Sequence, residues 1–214
     1  RNVDNEVYIL QSHRLMSEVV KRLHLTVNYS VREGLRTADL YGRSPIEVDF
    51  INDNSKQKLS LEVTPLRNGK IELTDFEDKF VTRQETKRVI LAEYGDTVAT
   101  PVGQVVVHKT LFMDSTYLKK PITVIKNSLA ATTSAYRAAV KSDVANKQAS
   151  IVTISMNNSV PRRAEDVINT LIAVYEEDAI ADKRQLSVVT ADFIKERMQV
   201  IGRELGDVDR DIED

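Results

Sequence analysis

The chain has 214 residues, 42% of them hydrophobic and 29% charged, which is enough for one or two folded parts with a sizeable core. Its formal net charge of -2 and pI near 6.0 leave no basic excess to neutralise phosphates, so the composition supports binding neither to nucleic acid nor to anionic lipid. The chain has no cysteine, which excludes disulfides, thiolate nucleophiles and cysteine metal sites.

The N-terminal segment predicts one helix followed by a strand. Between Val3 and Leu23 the apolar residues recur at offsets of three and four, which is typical of one amphipathic helix. The next stretch, "LHLTVNYSV", alternates apolar and polar residues, as a half-buried strand does.

The middle of the chain predicts antiparallel strands. The stretch "LRTADLYGRSP" indicates a loop, and the stretches "IEVDFI" and "KLSLEVTPL" alternate as strands. Asn68-Gly69 is a hairpin signal, and further strands are predicted in "GDTVATPVGQVVVHK" and "PITVIKNS". The segment "AYRAAVKSDVANKQASIVTISMN" fits either a helix or a hairpin, and we favour the hairpin.

Two helices are predicted at the C-terminal end. Pro161 suits the first turn of a helix of about five turns, and a second helix is expected from about Leu186, after a short break near 181–187. The second helix carries a heptad seam with alternating steps of three and four. The seam consists of Ile194, Met198, Ile201, Leu205, Val208 and Ile212.

The seam allows two interpretations. It could pack on the domain's own sheet, or it could pair with another helix as in a coiled coil. Because the pattern runs to the last residues, we favour a partner helix beyond Asp214, in the same chain or in a neighbouring copy. Since the chain also begins with Arg1, we expect it to be a piece of a longer protein.

The order of elements predicts an α+β fold. We expect a mostly antiparallel mixed sheet with helices packed on it, and a long, truncated, coiled-coil-like helix at the C-terminus. The expected division is a base domain over 1–183 and a protruding helix over 184–214.

The sequence offers little catalytic chemistry. His13, His24 and His108 lie in unrelated elements without the spacing of a metal site, and the glycines do not form a phosphate loop. The acidic residues over 207–214 lack the ligand spacing of a calcium loop and indicate a solvated helix face. We therefore expect no catalytic, metal or cofactor site.

Four blocks of sequence resemble one protein family. They are "VDNEVYILQSHRLMSEVVKRLHLTVNY", "RTADLYGRSPIEV", "SIVTISMNNSVPRRAEDVINTLIAVYEEDAI" and "TADFIKERMQVIGRELGDVDRDIE". In this order they are similar to the periplasmic domain of polysaccharide co-polymerases, the Wzz-type chain-length determinants and their relatives fused to bacterial tyrosine kinases. The residues of these blocks that we single out as family-like are Asn5, Glu6, Leu10, Ser12, Pro161, Phe193 and Arg197.

The resemblance implies a function that the residues alone do not give. Members of the family are inner-membrane proteins whose two membrane helices flank a periplasmic region, and a cytoplasmic tyrosine kinase follows in one branch. The chain would then be a non-catalytic periplasmic domain that oligomerises to regulate the length or export of capsule, exopolysaccharide or lipopolysaccharide O-antigen. Expected partners are further copies, a polysaccharide polymerase or outer-membrane export protein, and the polysaccharide itself.

Two other classes of function remain as alternatives. A periplasmic adaptor of an export complex also joins a β-rich body to a helical hairpin, but it predicts a lipoyl-like half-motif that this sequence lacks. A hydrolase is disfavoured, because the carboxylates and serines show no spacing that would link them into a site.

Overall fold

The structure, a computed structural model of the chain, describes residues 2–51 and 56–213, and from residue 207 onward it describes the backbone alone. The helices of these ranges are α1 (Val3–Leu10), α2 (His13–Arg22), α3 (Arg83–Thr86), α4 (Leu129–Ala139) and α5 (Pro161–Glu213), with a short 3-10 helix at Ser115–Tyr117. The strands are β1 (Val27–Glu33), β2 (Arg36–Asp39), β3 (Ile46–Ile51), β4 (Leu59–Pro65), β5 (Lys70–Glu77), β6 (Ile90–Glu93), β7 (Thr97–Thr100), β8 (Gly103–Lys109), β9 (Ile122–Lys126), β10 (Val140–Asn146) and β11 (Ile151–Met156).

The chain divides into two compact units, Arg1–Leu171 and Ile172–Asp214. The first unit holds the strands named above, α1 to α4 and the first turns of α5, and the second holds the rest of α5. The predicted α+β class, with antiparallel sheets and a long C-terminal helix, is confirmed.

The main hydrophobic core is formed by two sheets of the first unit. One sheet has six strands in the order β2-β1-β9-β4-β5-β6, and the other has three in the order β3-β8-β7. Strand β4 shows how the sequence sets the inner face, because Leu59, Leu61 and Val63 are buried while the residues between them are less so. Phe76 of β5 is fully buried in the same core.

The helices form a second layer with the two-stranded sheet β10-β11. Helix α2 packs on α4, while α1 contacts both β10 and β11. The apolar face of α2 is buried in this layer through Leu15, Met16, Val19 and Val20. Helices α1, α2 and α4 therefore contact chiefly one another and this hairpin, whereas α3 contacts β5, and the main core belongs to the two larger sheets.

The prediction of one helix from Val3 to Leu23 is wrong, because Ser12 interrupts it. Ser12 is extended, with φ -69° and ψ 144°, and its Oγ accepts a hydrogen bond from the Leu15 N–H at 3.3 Å. Serine favours such a cap because its side chain competes for backbone hydrogen bonds. The chain therefore ends α1 at Leu10 and begins α2 at His13.

Replacing the cap tests this boundary. Ser12→Ala is expected to lower the free energy of unfolding by about 1 kcal/mol, because the Leu15 N–H loses its acceptor. The loss is measured as a lower urea concentration at the midpoint of unfolding, with the m-value unchanged. Ser12→Asn keeps a capping oxygen and should stay within a few tenths of a kcal/mol. Equal losses in both variants would contradict the capping role.

Two further predictions need correction. The stretch 35–45 is not wholly a loop, because Arg36–Asp39 pairs with β1 to form β2. In the ambiguous segment the hairpin is confirmed as β10 and β11, but the alanines before it form α4, which Ser128 caps through the Ala131 N–H. The Asn68-Gly69 hairpin is confirmed, with Gly69 at φ 78° and β4 paired to β5.

The predicted break near 181–187 is also wrong, since α5 runs without interruption from Pro161 to Glu213. Pro161 is its first residue, as the sequence predicts. The stretch 181–187 has neither glycine nor proline, and it consists mostly of residues with good helix propensity. None of the helices in the described ranges combines the length and apolarity needed to cross a bilayer.

Candidate functional site

The predicted seam is an exposed apolar row on α5. The exposed fractions are 53% for Ile194, 68% for Met198, 50% for Ile201 and 61% for Leu205. An apolar stripe at this spacing normally faces a core or another helix, so its exposure marks a surface that can accept a partner. The side chains of Val208 and Ile212 lie outside the described residues.

A second apolar row accompanies the seam. Leu186, Phe193 and Val200 are spaced seven residues apart and are exposed. Phe193 and Ile194 are neighbours in sequence, so the two rows lie about 100° apart around the helix. The apolar surface of α5 is therefore wider than the seam of a two-stranded coiled coil needs.

The relief of this face fits the packing of helices. A shallow depression lies among Ala191, Ile194, Lys195 and Met198, with Gln199 at its margin. These first four residues have the i, i+3, i+4, i+7 spacing of neighbours on a helix face, and four residues of this spacing form the hole for a facing side chain in a coiled coil. A second depression of the same spacing, at Asp182, Gln185, Leu186 and Val189, lies on the other apolar row.

The polar residues of α5 occupy the remaining surface. Arg197 and Glu204 flank the seam, while Glu196 and Arg203 lie on the opposite side of the helix by their heptad positions. All four are exposed. Charges that flank an apolar seam influence which partner helix it accepts and in which direction.

The first turn of α5 is tied to the end of β2 by a buried ion pair. Arg163 is only 6% exposed, and its Nη2 lies 2.9 Å from each carboxylate oxygen of Asp39. Its guanidinium lies 4.8 Å from the centre of the Tyr41 ring, and its Nη1 donates to Asn158 Oδ1 at 3.4 Å. The Tyr41 hydroxyl donates in turn to Asp166 Oδ2 at 2.7 Å. These contacts fix the direction in which α5 starts within the first unit.

Burial shapes the electrostatics of this cluster. Burial, and then the adjacent Asp166 carboxylate, raise the pKa of Tyr41 well above its usual value. The phenol therefore stays protonated at physiological pH and keeps donating to Asp166. The Tyr41 N–H also donates to Asp39 Oδ1 at 2.9 Å. The Asp39 carboxylate therefore binds both the loop after β2 and the first turn of α5.

A cavity of about 490 Å³ adjoins the cluster. It is lined by the start of β1, the loop after β2, β3 and the first turn of α5, with aromatic rings from Tyr29, Tyr41, Phe50 and Phe112. The Tyr29 oxygen accepts the Val48 N–H at 2.8 Å, and burial raises the pKa of Tyr29 to about 12. This hydrogen bond joins β1 to β3 across the cavity.

The histidines lie in separate places. His13 is exposed on α2, and His24 is exposed in the turn after it, with φ 51°. His108 of β8 lies 3.2 Å from Asp49 of β3. Within the described ranges, no three histidine or carboxylate side chains converge as metal ligands.

The other family-like residues serve different local roles. Asn5 is exposed on α1 and Glu6 is half-buried there, while Leu10 is buried at its end. Ser12 caps α2 and Pro161 begins α5. Phe193 and Arg197 belong to the second unit. The residues singled out by the resemblance therefore do not form one site.

Sequence reasoning missed the Arg163 cluster. Arg163 precedes the buried Val167 and Leu171 by four and eight residues, so it lies on the apolar face of α5. A charged residue on an apolar face was the available signal, because buried arginine needs a partner. Its partner Asp39 is 124 residues away along the chain, and local periodicity does not predict such a contact.

Comparison of the chain with models of known protein families and with curated proteins gives no match.

Proposed function

We propose that the chain is the non-catalytic periplasmic region of an inner-membrane polysaccharide co-polymerase. In this proposal copies of the protein associate and regulate the length or export of a surface polysaccharide. The observation that carries the proposal is the exposed apolar row at Ile194, Met198, Ile201 and Leu205 on α5. Its heptad spacing is that of helices that pair with other helices.

The two units have different roles in this proposal. The second unit supplies the association surface, whose depressions have the spacing that receives side chains from another helix. The first unit supplies a rigid base, in which the Arg163 and Asp39 pair holds the first turn of α5.

The polysaccharide part of the proposal is supported by the resemblance of the four sequence blocks. Association of copies would set the spacing at which a polymerase or an outer-membrane export protein works on the growing polymer. The chain's own contribution is then assembly and positioning.

The test is the length of the polymer in cells. In the complete protein, Leu205→Asp is expected to shift the length distribution of the surface polysaccharide, because the charge disrupts the seam through which copies associate. Gel electrophoresis of the extracted polysaccharide measures the distribution.

A matched control separates the seam from a general effect of charge. Arg203→Asp changes the charge of α5 by more than Leu205→Asp does, but on the opposite side of the helix, and should leave the polymer length unchanged. Normal polymer length in cells with Leu205→Asp at normal protein level would contradict the proposal.

A further inference from the structure

Three basic connections lie at one end of the six-stranded sheet, where β6 also ends, since Glu93 pairs with Lys70. The β1-β2 turn is there because Glu33 pairs with Arg36, and the β4-β5 turn is there because Pro65 pairs with Ile71. The approach to β9 joins them, because the Lys119 N–H donates to the Pro65 carbonyl at 2.7 Å. We call residues 32–36, 66–70 and 118–120 together the basic end.

The basic end carries a strong excess of positive charge. Its acidic residue is Glu33, and its basic residues are Arg32, Arg36, Arg67, Lys70, Lys119 and Lys120. Two nearby carboxylates offset part of this positive charge. Glu93 lies 4.0 Å from Lys70 Nζ, and Asp114 lies near Lys120. The net charge of -2 for the whole chain therefore conceals a local basic surface.

The spacing of the strands makes these charges act together. The connections span β2, β1, β9, β4 and β5, which are consecutive in the sheet. Strands lie about 4.8 Å apart, so the row is about 19 Å long. The spacing of adjacent strands is shorter than the Debye length of about 8 Å at physiological salt. The cations of the row present a joint field rather than isolated charges.

An apolar side chain stands at the tip of the same surface. Leu35 is 100% exposed in the two-residue turn that Gly34 begins at φ 63°, a conformation that suits glycine. Leu118 is also exposed, next to Lys119, which is held in the left-handed region at φ 60°. An uncovered leucine on a surface rich in arginine and lysine is typical of a surface that meets the interface of a lipid bilayer.

We propose that the basic end binds an anionic lipid surface. Leu35 enters the interfacial layer, and the surrounding arginine and lysine side chains face the phosphates of the headgroups. Lipid fits better than an acidic polysaccharide, because a sugar chain offers no apolar layer for Leu35. The proposal goes beyond the proposed function and does not depend on the seam of α5, since the basic end belongs to the first unit.

Binding to vesicles tests the proposal on the 214-residue chain. We expect the protein to float with vesicles of equimolar phosphatidylcholine and phosphatidylglycerol at low salt, and to remain unbound with pure phosphatidylcholine. Lys119→Glu with Lys120→Glu should lower the bound fraction at least about tenfold. Leu35→Ser should also lower it, and high salt should release the protein.

The chain offers a matched control for the charge reversal. Lys87 and Arg88 are adjacent, exposed residues just before β6. The start of β6 pairs with Leu73 of β5, so both residues lie away from the basic end. Lys87→Glu with Arg88→Glu should bind as the unsubstituted chain does. Circular dichroism of each variant should match the unsubstituted chain.

Three results would overturn the proposal. The first is that the protein does not bind the anionic vesicles. The second is that both charge-reversed variants bind equally well. The third is that Leu35→Ser leaves binding unchanged while soluble polygalacturonate displaces the vesicles. The last result would assign the surface to an acidic polysaccharide instead.

Discussion

Replacing Leu205 by aspartate is expected to lower the mass of the assembled protein toward that of the monomer. Burial of a leucine contributes about 1.5–3 kcal/mol, and 1.4 kcal/mol changes an association constant tenfold. The substitution removes that contribution and places an unpaired carboxylate in the seam, which adds a desolvation cost. Light scattering of the complete protein in detergent measures the mass.

Other seam positions should behave alike. Aspartate at Ile201 or Val208 is expected to weaken association in the same way, because both positions belong to the same heptad seam. Under the proposed function, the 214-residue chain alone should be a monomer or associate weakly, because the proposal places further linked contacts outside it. Equal masses for Leu205→Asp and the unsubstituted complete protein would refute association through the seam.

Replacing Arg163 by methionine is expected to lower the free energy of unfolding by about 3 kcal/mol. Breaking a buried ion pair from one side costs about 3–5 kcal/mol, because the remaining charge loses its partner. The lower figure applies because the Asp39 side chain is 34% exposed, so water can reach its carboxylate after the substitution. Urea denaturation of the purified chain measures the loss.

The neighbouring arginine provides the control. Arg162→Met removes the same side chain from an exposed position, so it should change the free energy of unfolding by less than about 0.5 kcal/mol. Combining Arg163→Met with Asp39→Asn removes the stranded charge and should recover part of the loss. A loss below about 1 kcal/mol for Arg163→Met alone would show that the pair contributes little.

The strands that alternate strongly could be predicted from the sequence, and the weak ones could not. Strand β4 has buried aliphatic residues at every second position, so period two is visible in the sequence. Strand β2 reads Arg-Thr-Ala-Asp, and its first two residues are exposed while its last two are half-buried. It becomes a strand because the turn at Gly34 folds it onto β1, and that pairing depends on backbone hydrogen bonds rather than on apolar pattern.

The helices show the same limit. The apolar period continues across α1 and α2, and it hides the boundary that the Ser12 side chain sets through one hydrogen bond. In α5 the period weakens near 181–187 although the backbone stays helical. Helix propensity without a breaker was the better guide there.

Part of the candidate site could be predicted from the sequence and part could not. The seam could be predicted because its residues are three and four apart on one helix, where sequence spacing fixes position. The contacts that hold the first turn of α5 could not be predicted. Arg163 contacts Asp39 and Tyr41 only after the six-stranded sheet and the loop after β2 have folded. The sequence thus predicted the surface but not the cluster that holds its helix.

Thiol labelling in the complete protein tests most directly whether another helix covers the seam. The chain has no cysteine, so Ile201→Cys and Glu196→Cys each introduce one thiol into it, on the seam and on the opposite side of the helix. In native membranes we expect Ile201→Cys to react at least about tenfold more slowly than Glu196→Cys, and denaturation should make the two rates equal. Equal rates in native membranes would contradict the account, because the seam would then be uncovered in the assembled protein.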